Sequence, residues 1–272
     1  MTYRDITVER RGAIEIIRLN RPKYRNAQSR VMLEEMTQAF ARADLDNEVK
    51  VIVLAAVGEH FSSGHDLGTP EELADAETNP FGKGLLGRVN RSWHLYVENS
   101  LRWRDVKKPT IAQVQGLCIY GGFILASCMD VIFASDDAKF LPTHLQLHTA
   151  PWDMGVRNAK RILFENRFIP AEEARSIGLV SEVVPRDQLE DAVMAQAERW
   201  AATDLLTLRM LKHSINLTQD AMGYRLAIHA GHSAYMVREL INLSNNNSRV
   251  PGQRRMPLVA DALAKEKASK KD

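Results

Sequence analysis

Three features of the chain predict an α/β fold with a mostly parallel sheet and a helical C-terminal region. Residues 50–56 form a near-continuous apolar run, as expected of a parallel strand covered on both faces. From there to about residue 185, strand-like and helix-like segments alternate, which implies right-handed crossovers. Beyond Pro185 the apolar spacing is helical almost throughout.

The elements follow in order. Ile6, Val8 and then Ala13 to Leu19 flank a turn at Arg11 and Gly12, which reads as a hairpin. Pro22 ends its second strand, since proline cannot donate to the ladder. A helix is expected from Ser29, with Met32, Met36, Ala39, Phe40 and Ala43 on one face. Residues 68–92 contain Pro70, Pro80, Gly82, Gly84 and Gly87, and read as a mobile loop leading into a helix over 89–103. A strand over 110–114, a helix from Gly121 and a strand over 131–134 come next, then helices over 187–202, 205–219 and 221–243. The lysine-rich tail from Ala264 is expected to fray. These elements divide the chain into an α/β core over 1–200 and a helical extension over 201–272.

Bulk properties exclude several classes. The 272 residues are 45% apolar and 26% charged, ordinary for a globular protein. A net charge of +2 gives no global reason to expect nucleic acid or an anionic membrane. No apolar stretch approaches the roughly 20 residues that span a bilayer, and the N-terminus lacks the apolar core of a secretory signal. Cys118 and Cys128 lie in apolar surroundings, as buried thiols of a reducing compartment do. A cytoplasmic protein is expected, and no metal-type Cys/His spacing occurs.

Two segments carry chemistry. Phe61-Ser62-Ser63-Gly64-His65-Asp66-Leu67 follows the apolar run, and Ile111-Ala112-Gln113-Val114-Gln115-Gly116 precedes Gly121-Gly122. Each reads as a strand entering a turn with backbone N–H groups that can stabilise an oxyanion. With Leu19-Asn20-Arg21-Pro22-Lys23 and residues 171–180, these segments resemble, in order and spacing, the crotonase (enoyl-CoA hydratase/isomerase) superfamily. The resemblance covers about residues 5–220. It implies a crotonase-like ββα spiral core with a C-terminal helical region, usually in a trimer or hexamer. It also implies a CoA thioester substrate, with CoA as part of the substrate and no permanently bound cofactor. The thioester oxygen would sit between the backbone amides of Ser63 and Gly121. Glycine at the second position permits close approach, and a helix N-terminus favours negative charge. Lys23 and Arg25 match positions near the CoA phosphates, where cations are needed, or are solvated surface charges. His65, Asp66 and Leu67 would border the adenine; for Asp66 a turn-capping role is equally open.

The resemblance breaks where the chemistry should be. The two positions at which the superfamily's hydratases carry glutamates hold Ile124 and His144. General acid–base groups contribute about 10²–10⁴ each, and Ile124 cannot transfer a proton. His144 titrates near neutrality, and Asp153, nine residues on, matches a position used for catalytic carboxylates. Together they resemble the pair of crotonase-fold β-diketone hydrolases, although the further histidine of those enzymes falls near Leu33. His144 can instead be a structural histidine, and Asp153 a helix N-cap. Trp152 reads as packing or an acyl-pocket wall, His148 as a pocket base or a surface histidine, and Tyr120 as a residue crowding the pocket. Trp93, Tyr96 and Trp103 read as core. The leading expectation is an acyl-CoA enzyme, hydratase- or isomerase-like, with a non-standard acid–base set. The alternatives are a CoA-ester binding protein without turnover and hydrolytic carbon–carbon cleavage.

Overall fold

The computed structural model describes residues 2–78, 80–142, 145–244 and 257–269. The hairpin forms as expected: β1 (Ile6–Arg11) pairs antiparallel with β2 (Ile14–Leu19). β2 then pairs parallel with β3 (Val51–Ala56), and β4 (Thr110–Val114), β6 (Val131–Ser135) and β9 (Glu182–Val184) extend the sheet in the order β1-β2-β3-β4-β6-β9. β3 shows why its sequence is continuously apolar. Ile52 and Leu54 join one core, against α1 (Arg30–Leu45), and Val51, Val53 and Ala55 join the other, against α9 (Leu189–Ala201). Adjacent strand residues face opposite sides, so a strand between two helical layers has no polar face to show.

A second, smaller sheet was not foreseen. It consists of β5 (Leu117–Ile119), β7 (Lys139–Leu141) and β8 (Ile169–Pro170). Strands of two or three residues are too short to impose a periodicity that can be read. Between β5 and β6 lies α5 (Gly121–Ser127), buried on nearly every side. After β7 come α6 (Ala150–Asp153), α7 (Val156–Glu165) and α8 (Ala171–Ser176).

The segment expected to be a loop is largely helical. Residues 70–77 form α2 (Pro70–Glu77), whose N-cap Thr69 accepts the Glu72 N–H at 3.3 Å. Pro70 stands at the first helical position, where its missing N–H is no loss, so it starts a helix rather than breaking one. α3 (Gly84–Ser92), a π-helical stretch over Trp93–Glu98 and α4 (Asn99–Arg104) then run on without a break. The helical extension consists of α10 (Leu205–Ala221), α11 (Tyr224–Ser244) and α12 (Pro257–Ser269). α12 corrects the expected fraying up to Ser269: Ala262 is buried, and Glu266 pairs with Lys139 of β7. The last residues of the tail lie outside the described part. Among the described residues, no helix is long and apolar enough to cross a membrane.

Ser29 ties the first helix to the hairpin. Its buried hydroxyl accepts the Met32 N–H at 3.0 Å and donates to Asp5 Oδ2 at 2.5 Å. Ser29→Ala is expected to destabilise the fold by about 1–2 kcal/mol, from the lost cap alone. Urea denaturation checks this, and an unchanged midpoint would contradict it.

Candidate active site at the start of α5

The site is built from backbone. Residues 61–66 thread between two neighbours in parallel fashion. On one side Ser62 N donates to Leu117 O (3.0 Å), and Ile119 N donates to Ser62 O (3.0 Å). On the other, Gln28 N donates to Gly64 O (2.8 Å), and Asp66 N donates to Gln28 O (3.0 Å). In such pairing the residue between the two bonds, His65, directs its own N–H away from Gln28, towards the side of β5 and Gly121. The glycines make this approach possible. A side chain on Gly64 would put its β-carbon 2.9 Å from Ile119 O and 3.3 Å from Gly121 N. On Gly122 it would stand 2.7 Å from Ser62 O.

Tyr120 turns the chain from β5 into α5. Its φ of 44° with ψ of −97° is held by its N–H to Leu141 O (2.8 Å) and by Ile124 N to its carbonyl (2.9 Å). Non-glycine residues occupy such backbone regions only under restraint, often at functional sites. Gly121 is then the first residue of α5, and its N–H has no intrahelical acceptor. The Tyr120 ring does not crowd this pocket. It packs with Leu141, Phe168 and Ala262, and burial pushes its phenol up to about 12.

The side chain standing over Gly121 is His65. A β-carbon on Gly121 would lie 2.4 Å from Gln28 Oε1 and 2.8 Å from His65 Nδ1. The imidazole contacts Gln28 Oε1 through Nδ1 (3.1 Å) and Gln146 Oε1 through Nε2 (2.7 Å), and stacks on Tyr96 with centroids 3.9 Å apart. Gln28 and Gln146 are both buried. Tyr96, expected in the core, comes from the π-helical stretch; such insertions frequently mark functional sites. His65 is thus turned to Gly121 rather than to an adenine, and Gln28 and Gln146 join the site without any motif in the sequence that marks them. Pairing across 37 and 81 residues leaves no local signal.

Other expectations change. Ser63 N donates to Arg25 O at 2.9 Å, so this amide is committed to the chain rather than to a ligand. Asp66 is a turn-holding residue: its carboxylate accepts from Gly68 N, Thr69 N, Thr69 Oγ1 and Arg21 Nη1 at 2.6–3.0 Å. Burial alone would raise its pKa, but these bonds hold it below the usual carboxylate range. It is therefore not placed to bind adenine. Leu67, Lys23 and Arg25 are exposed, which leaves them accessible to a ligand. Arg25 takes a left-handed φ of 51° on the loop locked by Asn26, whose side chain bonds Arg21 N, Val57 O and His60 O.

Asp153 belongs to the opposite end of α5. Its polar neighbours are the Ser127 and Thr149 hydroxyls, and it lines a cavity of about 620 Å³ with Ser127, Cys128, Trp152, Arg104 and Tyr224. At 1.5 Å per residue, α5 is about 10 Å long, so Asp153 is not brought to the Gly121 amide. Trp152 meets Tyr224 edge-on at 5.7 Å and walls this rear cavity. Ile124 is buried one turn into α5. His148 packs against Gly231 of α11, whose added β-carbon would stand 2.7 Å from His148 Cβ. Trp103 is core as expected. Both cysteines are buried free thiols, raised by that burial. His144 lies outside the described residues. Among those described, no cluster could hold a metal.

A sheet wound into a second, smaller sheet, with a glycine amide at the turn between them, defines a class of α/β spiral proteins. Residues 9–232 match the enoyl-CoA hydratase/isomerase family, and the chain belongs to it. EchA13 of Mycobacterium tuberculosis, provisionally named an enoyl-CoA hydratase, is 39% identical over 237 residues, 80% of this chain and 74% of that one. The short-chain-enoyl-CoA hydratase of Clostridium acetobutylicum is 29% identical over 227 residues, 79% and 82% of the two chains. A crystal structure from Mycobacterium smegmatis, described as a probable enoyl-CoA hydratase, superposes with a TM-score of 0.81 at 39% identity, covering 90% and 97%. An enoyl-CoA hydratase/isomerase from Xanthobacter autotrophicus does so at 0.77 and 28%, covering 87% of each.

Asp153 gives a pH prediction. Burial pushes its pKa up to about 7, against the opposing Thr149 and Ser127 hydroxyls, from 3.8 for an ordinary aspartate. Between these values the unfolded chain is ionised while the folded one keeps its proton, so this group's contribution to stability falls as pH rises. Asp153→Asn, which mimics the protonated form, should gain stability relative to the parent from about pH 4 to 7 and level off above. Thermal unfolding of both proteins across this range checks it; a constant difference would refute it.

Proposed function

We propose that this protein acts on an acyl-CoA thioester and stabilises the enolate of its acyl group through backbone amides at the turn into α5. The observation that carries the reading is the convergence of the Gly64–His65 turn on Gly121, close enough that neither glycine tolerates a β-carbon. The two donors are the amides of Gly121 and His65, the latter in place of Ser63, whose N–H is bonded to Arg25 O. CoA enters as part of the substrate, with Lys23 and Arg25 on the exposed side to meet its phosphates. The names of the relatives and of the family support an enoyl-CoA substrate and a hydratase- or isomerase-like reaction.

The acid–base set is non-standard. Ile124 removes one of the carboxylates that hydratases use, and His144 replaces the other as a candidate proton donor. Asp153, at the far end of α5, acts on stability or on the depth of the acyl pocket rather than at the thioester. The protein works as a homotrimer or hexamer: α10 and α11 expose Met210, Leu211, Ile215, Leu226, Val237 and Ile241, an apolar surface suited to neighbouring copies.

Hydration of crotonyl-CoA by the purified protein, beside His144→Ala, tests the reading. Activity lost in the variant identifies His144 as the replacement for the missing glutamates. CoA-ester binding without hydration directs the search to β-keto and cyclic acyl-CoA substrates, whose carbon–carbon cleavage uses the same enolate, and a broad panel without turnover leaves a binding protein. Failure to bind any CoA ester sinks the proposal. Lys23→Ala with Arg25→Ala is expected to weaken acyl-CoA binding about tenfold, a loss of about 1.4 kcal/mol, without weakening a pantetheine thioester that lacks the nucleotide. Titration calorimetry distinguishes the two ligands.

A further inference from the structure

We infer that His65 is the base that removes a proton from the α-carbon of the bound thioester and returns it. This rests on the thioester reading of the site. His65 Nδ1 and Cε1 stand 2.8 and 2.9 Å from where a Gly121 β-carbon would be, so the α-carbon of a thioester whose oxygen meets Gly121 N, two bonds from that oxygen, would come within reach of this ring.

The hydrogen bonds define which nitrogen is basic. Gln28 Nε2 donates to Ser62 Oγ (3.3 Å), which itself donates to Asn26 O (2.8 Å). That orientation leaves Gln28 Oε1 facing Nδ1 (3.1 Å), so Nδ1 carries the hydrogen. Nε2 faces Gln146 Oε1 at 2.7 Å, the contact of a protonated ring, and is the nitrogen left bare when the ring is neutral. A carboxamide satisfies both protonation states, offering its NH₂ to a bare Nε2 or, after a half-turn, its oxygen to a protonated one. The Tyr96 face, 3.9 Å away and tilted 30°, fixes the ring plane. A histidine wedged only for packing needs neither a fixed tautomer nor a partner that can follow its proton.

The step balances without a co-reactant. Nε2 takes the α-proton as the substrate displaces the Gln146 carboxamide. The C–H pair becomes the enolate double bond, and the carbonyl π pair moves onto the thioester oxygen beside the Gly121 amide. Reversal returns the proton. Among the described residues, Tyr96 stacks on the ring and its phenol interacts with Arg91, while Asp66 is turned to Arg21.

The experiment is α-hydrogen exchange of butyryl-CoA in deuterated water, followed by mass spectrometry, with binding measured in parallel. His65→Gln is expected to slow exchange about 10²–10⁴-fold, the usual contribution of a general base, with butyryl-CoA still bound because the residue-65 backbone amide is retained. Gln28→Glu sets a carboxylate against Nδ1–H, which stabilises the imidazolium. The rising limb of exchange against pH should therefore move to higher pH, a shift that a purely structural histidine would not produce. If His65→Gln does not fold, that shift decides. Exchange at the parental rate in His65→Gln, an unmoved limb in Gln28→Glu, or a parent that binds butyryl-CoA without exchanging it overturns the inference. Exchange lost in His144→Ala but not in His65→Gln does the same. A parent that binds no butyryl-CoA refutes the thioester reading itself, and the inference with it.

Discussion

Backbone pairing of residues 61–66 between Gln28 and β5 is the constraint on which the site depends. Four hydrogen bonds of 2.8–3.0 Å hold that strand-like segment on both edges, so its position is as fixed as that of an interior strand. Extended chain pinned on both sides cannot slip by one residue without reversing every side chain. The register decides that the Ser63 amide faces Arg25, that His65 faces Gly121, and that Asp66 turns back to Arg21.

Around this segment the structure supports the site from beneath. Arg21 reaches Ala27 O, Asp66 and Thr69, joining the loop after β2 to the N-cap of α2. A buried ion pair of this kind is held by its additional hydrogen bonds rather than by Coulomb attraction alone. Asn26 closes the same loop by bonding three backbone groups. The result is a rigid floor under His65, and rigidity in the supporting layer is what holds reacting groups in place.

α5 separates two environments by its length. At its N-terminal end lie a glycine amide, an imidazole and two carboxamides, a set that can stabilise and move charge. At its C-terminal end lies a buried carboxyl kept from ionising easily, facing Ser127, Thr149 and the rear cavity. His65 and Asp153, at opposite ends of this helix, therefore have surroundings too different to share one function.

Much of the architecture was legible from the residues. The apolar run of β3, the helical stripe of α1, the hairpin and the order of the main strands all follow from patterns repeated over six or more residues. The family could be seen from its motifs, and Gly121 from its place at the start of a helix. What escaped was short or non-local: β5, β7 and β8 are too brief to carry a period, and Pro70 reads as a breaker until Thr69 is seen to cap it. The ring of Gln28, Gln146, Tyr96 and His65 is assembled from four separate elements. By itself, then, the sequence determined the layers, their order and the presence of a glycine amide at the turn into α5, because those depend on local periodicity and backbone freedom. Only the tertiary structure decided which amide is already bonded, which histidine stands over Gly121 and to which end of α5 Asp153 belongs, because strand register and helix length set those distances.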